Sequence, residues 1–240
     1  MSRFYTDLPL SMGQTIALPE PVFHHWVRVL RATIGDTAIV FNGQGGEYTA
    51  TLVDIGKHQA SVLLSDFNAK DRTPASQVTL GLVMSKGDRM DYAIQKATEL
   101  GVHAIQLLTS ERCELRLKYE RDQKKLQHWQ QVAIAACEQC GMNRIPQVLP
   151  PVTLREWVDQ PAADSLRLVL APTLSTRILP TPLPATIQLL IGPEGGLSEA
   201  EIVTAQQAGF LGWQLGERIL RTETAPVVAL SLLWYHQQTG

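Results

Sequence analysis

The sequence predicts an α/β protein with a mostly parallel sheet, preceded by a small β-rich domain. From residue 78 onward, uninterrupted apolar segments such as Val78–Met84 and Ile187–Ile191 alternate with segments of helical periodicity. Apolar strands without polar alternation are typical of parallel sheets that helices cover on both faces. Before residue 70, short β-forming segments separated by turn residues predominate instead. We therefore expect a first domain over residues 1–70, a linker over 71–77 and an α/β domain over 78–240.

The first domain has the pattern of a small sheet with one helix. Ala38–Phe41 and Tyr48–Val53 are predicted strands, and Asn42–Gly46 between them is a strong turn signal. Ala60–Leu64 is a third predicted strand. Apolar residues at helical spacing predict a helix over Pro21–Leu30.

In the second domain, helix boundaries are marked by glycines and capping residues. The helix predicted over Asp88–Leu100 ends at Gly101, and Ser198 begins another, with Glu201 completing a capping box. A last helix from Ala225 is apolar nearly all round, so we expect it to be buried in the fold or in a dimer. The other predicted elements are strands over Ala104–Leu108 and Arg167–Ala171 and a helix over Arg121–Cys140.

Composition excludes several classes of protein. Hydrophobic residues make up 45% of the 240 residues and charged residues 18%, so the chain can bury a core. No apolar run is long enough to span a membrane, and the first residues lack the apolar region of a secretory signal. The sparse cysteines, Cys113, Cys137 and Cys140, indicate a reducing cytoplasm, and Cys137 and Cys140 have no second pair with which to bind a metal.

The net charge of −2 counts mildly against nucleic-acid binding. Basic residues are nevertheless concentrated between Arg112 and Lys125. This concentration indicates either one basic face or a solvated helix surface with mixed ion pairs.

A glycine cluster follows the last predicted strand directly. Gly192, Gly195 and Gly196 lie where ligands of open α/β sheets bind, at the carboxyl end of a strand. The segment lacks the lysine and the spacing of a phosphate-binding loop, which disfavours a nucleotide triphosphate or dinucleotide. An ordinary strand-to-helix turn is the alternative.

A second segment, Leu215–Ala225, places charged and hydroxylated residues just before a buried helix. Arg221 and Glu223 are its most prominent side chains, because charged groups beside a buried element tend to be functional or paired. The alternative is a pair that only fixes the start of the helix. Together with the glycine cluster, this segment predicts a small-molecule site.

Both segments resemble the signature segments of a known superfamily. Leu189–Gly196 and Leu215–Ala225 are similar to those of the SPOUT methyltransferases, the knotted S-adenosylmethionine enzymes. The closer resemblance is to the bacterial 16S ribosomal RNA uridine N3-methyltransferases, the RsmE family. Further segments carry it in the right order along nearly the whole chain: Arg28–Arg31, Met84–Gly87, Ile94–Gly101, Ser110–Cys113 and Ala135–Gly141.

The resemblance implies a PUA-like RNA-binding β-barrel, a SPOUT domain with a deep C-terminal trefoil knot, and a cytoplasmic homodimer acting on 16S rRNA of the small ribosomal subunit. It implies S-adenosylmethionine as the cofactor, and the composition predicts no metal and no membrane partner. The cofactor-binding residues would be Leu170, Ala171, Pro172, Ile191, Gly192, Pro193, Glu194, Gly195, Gly196, Leu215, Gly216, Ile219, Leu220 and Arg221.

Methylation of uridine N3 requires loss of the N3 proton, and therefore a general base or cationic stabilisation of the ring. We expect Arg221 and Glu223 near the target base, with contributions from Glu138 and Arg144. At position 142, where the family usually has arginine, this chain has Met142, so a basic contact is missing or comes from Arg144.

RNA contacts are predicted at basic residues, each of which has a surface or dimer salt bridge as its alternative. Arg28 and Arg31 are expected to share one helix face. The full set is Arg28, Arg31, Lys86, Arg89, Arg112 and Arg116. A non-catalytic RNA-binding or ribosome assembly factor of the same fold is the competing hypothesis for the whole protein.

Overall fold

The computed structural model describes residues 1–115, 119–162, 164–171 and 179–239, apart from the side chains of residues 119–122. The chain forms two compact units. The first comprises Met1–Thr73 and Cys137–Ile145, and the second comprises Pro74–Ala136 and Pro146–Gly240. The division near residue 73 falls within the expected linker, but the sequence pattern did not indicate that Cys137–Ile145 belongs to the first unit.

The first unit contains a five-stranded sheet with the order β1-β3-β4-β5-β2. β1 pairs with β3 in parallel, and the other pairs are antiparallel. The strands are β1 (Arg3–Tyr5), β2 (Thr15–Ala17), β3 (Thr37–Phe41), β4 (Glu47–Ile55) and β5 (Ala60–Asn68). Alternate residues of the three long strands, such as Val40, Leu52 and Leu64, point into one apolar core.

The helix predicted over Pro21–Leu30 is present but unusual in form. It begins as α1 (Glu20–Phe23) and continues with π-helical geometry over His24–Val29, where the Leu30 N–H donates to the His25 carbonyl oxygen at 2.9 Å. Arg31 lies beyond the helix with a left-handed backbone, at a φ of +59°. The expectation that Arg28 and Arg31 share one helix face is therefore wrong.

The second unit contains a six-stranded, entirely parallel sheet with the order β11-β9-β10-β6-β7-β8. Its strands are β6 (Gln77–Val83), β7 (Ala104–Thr109), β8 (Gln147–Thr153), β9 (Ser165–Leu170), β10 (Thr186–Ile191) and β11 (Leu211–Gly212). The helices of this part of the chain are α2 (Arg89–Glu99), α3 (Tyr119–Cys140), α4 (Leu154–Val158), α5 (Glu199–Gln207) and α6 (Ala225–Thr239). The last turn of α3 belongs to the first unit.

Both faces of this sheet are buried, as the sequence predicts. Leu80 and Leu82 pack with residues of α2 and α6 on one face. Val83 and Leu190 pack with α4 and α5 on the other. Gly81 lets the Trp157 ring approach closely, because a Cβ at this position would lie 2.3 Å from the ring. The α/β class and the parallel sheet are thus confirmed.

The final helix, α6, is buried on only part of its surface. Ala229, Leu230 and Leu233 are almost fully buried. Leu232 and Tyr235 are 42% and 63% exposed. In the described part of the chain, no helix combines the length and the apolar character that crossing a membrane requires.

Candidate active site

A cavity of about 530 Å³ opens in the second unit where β9 and β10 end. Parallel strands bring their carboxyl ends to the same edge of a sheet, where ligands of α/β folds bind. Three segments contribute most of its wall: Leu170 and Ala171 after β9, Ile191–Glu194 with Gly196 and Leu197 after β10, and Trp213–Gly216 with Arg218–Glu223 before α6. Arg89, Ile202 and Ala225 complete it.

The turn after β10, residues 192–197, requires glycine at two positions. A Cβ on Gly192 would lie 2.9 Å from the Leu197 Cγ, closer than van der Waals contact allows. Gly196 has a φ of +67°, which strains other residues, and its N–H donates to the Pro193 carbonyl oxygen at 2.8 Å. The turn is therefore tight and brings its backbone to the cavity wall. We call residues 192–197 the glycine turn.

The helix after the glycine turn begins with the predicted capping box. The Ser198 hydroxyl accepts the Glu201 N–H, and one Glu201 carboxylate oxygen accepts the Ser198 N–H at 2.9 Å. The other oxygen accepts the Glu111 N–H, also at 2.9 Å. Glu201 is buried, so this carboxylate fixes the start of α5 to the segment that follows β7.

Arg89 and Glu194 form an ion pair in the cavity wall, with 2.6 Å between the Arg89 Nη1 and the Glu194 Oε1. Burial alone would raise the pKa of Glu194, but hydrogen bonds from the backbone and from Arg89 hold the pKa below its usual value. Glu194 therefore presents a carboxylate to the cavity at neutral pH. The salt-bridge alternative for Arg89 is realised in this structure.

Arg221 and Glu223 also line the cavity, 3.9 Å apart between the Arg221 Nη1 and the Glu223 Oε1. The Arg221 side chain is 79% exposed, whereas that of Glu223 is 16% exposed. The Arg221 carbonyl oxygen accepts the N–H groups of Thr224 and Ala225, both at 2.9 Å, so the segment turns directly into α6. A charged pair, of which Arg221 is the accessible member, therefore stands beside an otherwise mainly apolar wall.

The RNA methyltransferase domain family matches residues 71–234, and the RNA methyltransferase PUA domain matches residues 18–65. The chain belongs to the RNA methyltransferase family. Similar proteins include the ribosomal RNA small subunit methyltransferase E of Buchnera aphidicola, 34% identical over 96% of this chain and 94% of that protein. That of Bacillus subtilis is 30% identical over 99% of this chain and 98% of that protein.

Solved structures of relatives are similar in fold. The ribosomal RNA small subunit methyltransferase E of Neisseria gonorrhoeae, bound to S-adenosylmethionine, aligns with a TM-score of 0.91 and 38% identity over 97% of this chain and 96% of that chain. A Legionella pneumophila protein with bound S-adenosylmethionine gives a TM-score of 0.91 and 38% identity, covering 96% of each chain. The resemblance seen in the sequence motifs is thus confirmed.

Most of the cofactor-binding residues predicted for this methyltransferase line the cavity. Two exceptions are Gly195, which does not contribute to the wall, and Pro172, which lies outside the described residues. Sequence reasoning missed several wall residues: Leu197, Ile202, Trp213, Gln214, Arg218, Thr222 and Ala225. Most of these lie within or beside the two signature segments, so their closeness in sequence to the predicted residues is the signal that could have identified them. Cofactor binding by these residues stays a prediction.

Glu138 and Arg144 belong to the first unit. A Glu138 carboxylate oxygen accepts the Tyr5 N–H at 2.9 Å, and burial raises the pKa of this carboxyl. The Arg144 Nε lies 2.7 Å from the Asp71 Oδ2. Met142 is buried against Phe41, so this position packs the core and provides no basic contact. The catalytic contribution of Glu138 and Arg144 stays a prediction.

Four of the predicted RNA-binding residues, Arg28, Lys86, Arg89 and Arg112, have protein partners in this structure. Arg28 donates to the Lys57 carbonyl oxygen and lies over the Phe23 ring, and Lys86 pairs with Glu114 at 2.8 Å. Exposed ion pairs such as that of Lys86 with Glu114 contribute little to stability, so they do not prevent contact with phosphates. Arg116 lies outside the described residues.

Burial raises the pKa of the Cys137 thiol to about 12, which makes a reactive thiolate unfavourable. Within the described ranges, no group of three or more histidine, cysteine or acidic side chains is placed to hold a metal ion.

Proposed function

We propose that this protein transfers the methyl group of S-adenosylmethionine to N3 of a specific uridine in the 16S rRNA of the small ribosomal subunit. The observation that carries the proposal is the cavity at the carboxyl end of the parallel sheet, built from the two signature segments. Relatives that this chain matches over nearly their whole length are named for this class of reaction, and two similar solved structures contain S-adenosylmethionine.

The residues present fit this cofactor. A volume of about 530 Å³ is within the range of small-molecule sites. Leu170, Ile191 and Leu220 provide apolar wall, and the close approach of the backbone at Gly192 leaves no room for a side chain. When bound, S-adenosylmethionine supplies an electrophilic methyl group on a positively charged sulfur. Glu194 offers a carboxylate in the same wall to a hydroxyl or amino group.

The side chains of the second signature segment act on the uridine. A Glu223 carboxylate oxygen accepts the N3 proton, and the accessible Arg221 guanidinium stabilises the negative charge that spreads onto the ring oxygens. The residues of the cavity wall would orient the base for methyl transfer, since this displacement depends on alignment. Glu138 and Arg144 would assist at the target base.

The first unit is proposed to bind RNA, in agreement with its match to a PUA domain. Arg28 and Arg31 are exposed on that unit and would contact phosphates, together with Lys86, Arg89 and Arg116 elsewhere. The trefoil knot, the homodimer and the cytoplasmic location belong to the same proposal.

Mass spectrometry of 16S rRNA from a strain that lacks this protein tests the proposal. We expect N3-methyluridine to be absent from one site and restored by the wild-type gene but not by a Glu223→Gln variant. Retention of the modified base in the deletion strain would contradict the proposal. Restoration by both genes would contradict the role of Glu223, and failure of the purified protein to bind S-adenosylmethionine would favour a non-catalytic RNA-binding factor.

A further inference from the structure

Arg112 lies next to the glycine turn, although its position in a basic segment predicts an RNA contact. Its Nη1 donates to the Gly195 carbonyl oxygen at 2.9 Å and to the Leu197 carbonyl oxygen at 3.4 Å. We infer that Arg112 is a positioning residue that holds the glycine turn in the shape that binds the cofactor. The inference rests on the proposed function and names a residue that controls cofactor affinity.

The contacts of the neighbouring residue favour this role. The Glu111 N–H donates to the buried carboxylate of Glu201, which caps α5 directly after the glycine turn. The Arg112 side chain therefore contacts the turn itself, and the Glu111 backbone N–H contacts only the start of α5 that follows the turn. The Cβ and Cδ of Arg112 would lie 3.5 Å from a Cβ on Gly195, so the arginine stem follows the outside of the turn.

Electrostatics indicate which groups hold the Arg112 guanidinium at this place. The N-terminus of a helix carries a partial positive charge and disfavours a nearby cation. Arg112 nevertheless places its guanidinium against the carbonyl oxygen of Leu197, the residue before the N-cap Ser198 of α5. The two carbonyl oxygens are the groups that favour a guanidinium here, since a charged donor forms the stronger type of hydrogen bond.

Loss of Arg112 should therefore weaken cofactor binding and leave RNA binding unchanged. The carbonyl oxygens of Gly195 and Leu197 would turn toward water, and the cavity wall between Gly192 and Leu197 would lose its fixed geometry. If Arg112 contacted phosphates instead, its loss would weaken RNA binding and leave the cofactor unaffected.

The test compares Arg112→Ala, Arg112→Lys and Glu111→Ala in the full-length protein. Glu111→Ala is the matched control, because it removes the adjacent exposed side chain but keeps the backbone hydrogen bond to Glu201. Calorimetry measures the Kd for S-adenosylmethionine, fluorescence anisotropy measures the Kd for a 16S rRNA fragment, and steady-state kinetics separate KM from kcat.

We expect Arg112→Ala to raise the Kd and the KM for S-adenosylmethionine about tenfold, with kcat and the Kd for RNA nearly unchanged. Arg112→Lys should restore part of the affinity, and Glu111→Ala should match the wild type. An unchanged cofactor Kd in Arg112→Ala, or a weakened RNA Kd with normal cofactor binding, would overturn the inference. Failure of the wild type to bind the cofactor would instead reject the proposed function.

Discussion

Gly192 and Gly195 lie in the same turn, but their surroundings place different demands on size. A Cβ on Gly192 would lie 2.9 Å from the Leu197 Cγ and 3.1 Å from the Leu197 nitrogen. We expect Gly192→Ala to push the turn out of shape and to raise the Kd for S-adenosylmethionine about tenfold, since overpacking of this kind costs about 1–3 kcal/mol. Calorimetry with the purified variant measures the effect.

Gly195→Ala is the matched control for this prediction. A Cβ on Gly195 would meet the Arg112 side chain at 3.5 Å, an ordinary van der Waals contact, and its φ is not in the left-handed region. Its cofactor affinity should therefore stay within about twofold of the wild type. An equal rise of the Kd for S-adenosylmethionine in the two variants would show that close packing at Gly192 does not determine cofactor affinity.

Glu223 is the side chain that we expect to receive the N3 proton. Glu223→Gln keeps the size of the side chain but removes the base, so kcat should fall about 100-fold while the Kd for S-adenosylmethionine stays within about twofold. Glu217→Gln is the matched control, because Glu217 is an exposed acid of the same segment that does not line the cavity. Near wild-type turnover in Glu223→Gln, with cofactor binding intact, would rule out this role.

Individual residues show where sequence reasoning is limited. Glycines after a buried strand predict a ligand-binding turn, because the backbone conformation is encoded locally. The partner of a charged side chain is not encoded locally. Arg112 bonds to carbonyl oxygens some eighty residues later in the chain, and Met142, at a position where the family has arginine, is instead buried against Phe41. Neither contact could be predicted without the fold.

At the scale of elements, long periodic segments were predictable and short ones were not. The capping box at Ser198 and the glycine after α2 are confirmed, since both signals lie within a few residues of the helix end. β1, β2 and β11 have only two or three residues each, too few for a pattern. β8 contains Pro150 and Pro151, which argue against a strand but are tolerated at the edge of the sheet.

The segment Cys137–Ile145 is fixed within the first unit by a buried ion cluster. Glu47 of β4 accepts hydrogen bonds from Arg3 and, at 3.4 Å, from Arg72. Arg3 also donates to the Asn143 side chain at 2.6 Å, and Arg72 donates to the Gly141 carbonyl oxygen at 2.8 Å. Glu47 is thus the common acceptor of the two arginines that hold this segment.

Removing this acceptor should destabilise the protein. Glu47→Gln leaves Arg3 and Arg72 without their carboxylate, and breaking a buried pair costs about 3 kcal/mol. Urea denaturation at pH 7 measures the loss. The matched control is Glu114→Gln, whose exposed pair with Lys86 should change the free energy of unfolding by less than about 1 kcal/mol.

The effect of Glu47 should depend on pH. Burial alone would raise its pKa, but Arg3, Asn143 and Arg72 together hold the pKa below the usual value. A carboxyl with a lowered folded-state pKa stabilises above its unfolded pKa of about 4.3, and this contribution is lost as the pH falls through the folded-state value. The difference between wild type and Glu47→Gln should therefore be largest near pH 7 and shrink below about pH 4. If the difference in the free energy of unfolding did not change with pH, the charge of Glu47 would not be its cause.

At the scale of the whole molecule, the sequence predicts two units but not which residues belong to each of them. The change from short strands to alternating strands and helices is a local pattern, and it predicts a linker over residues 71–77; the structure divides the chain after Thr73. The return of Cys137–Ile145 to the first unit depends on contacts with Arg3, Glu47 and Arg72, which no local pattern records. A knot has no local signature for the same reason, so the family resemblance alone suggests it.

The exposed side of α6 predicts the assembly of the whole protein. Leu232 and Tyr235 are spaced three residues apart, so they lie on one exposed face of a helix that begins directly after Arg221 and Glu223. Exposed apolar faces of this kind mark interfaces, and we expect the wild type to be a dimer in multi-angle light scattering. Leu232→Glu with Tyr235→Glu should give a monomer with reduced kcat/KM, because an interface beside the site would support Arg221 and Glu223. Val203→Glu, at an exposed apolar residue of α5, is the control and should stay dimeric. A wild-type monomer with full methyl transfer would reject the dimer, and a dimeric double variant would place the interface away from this face.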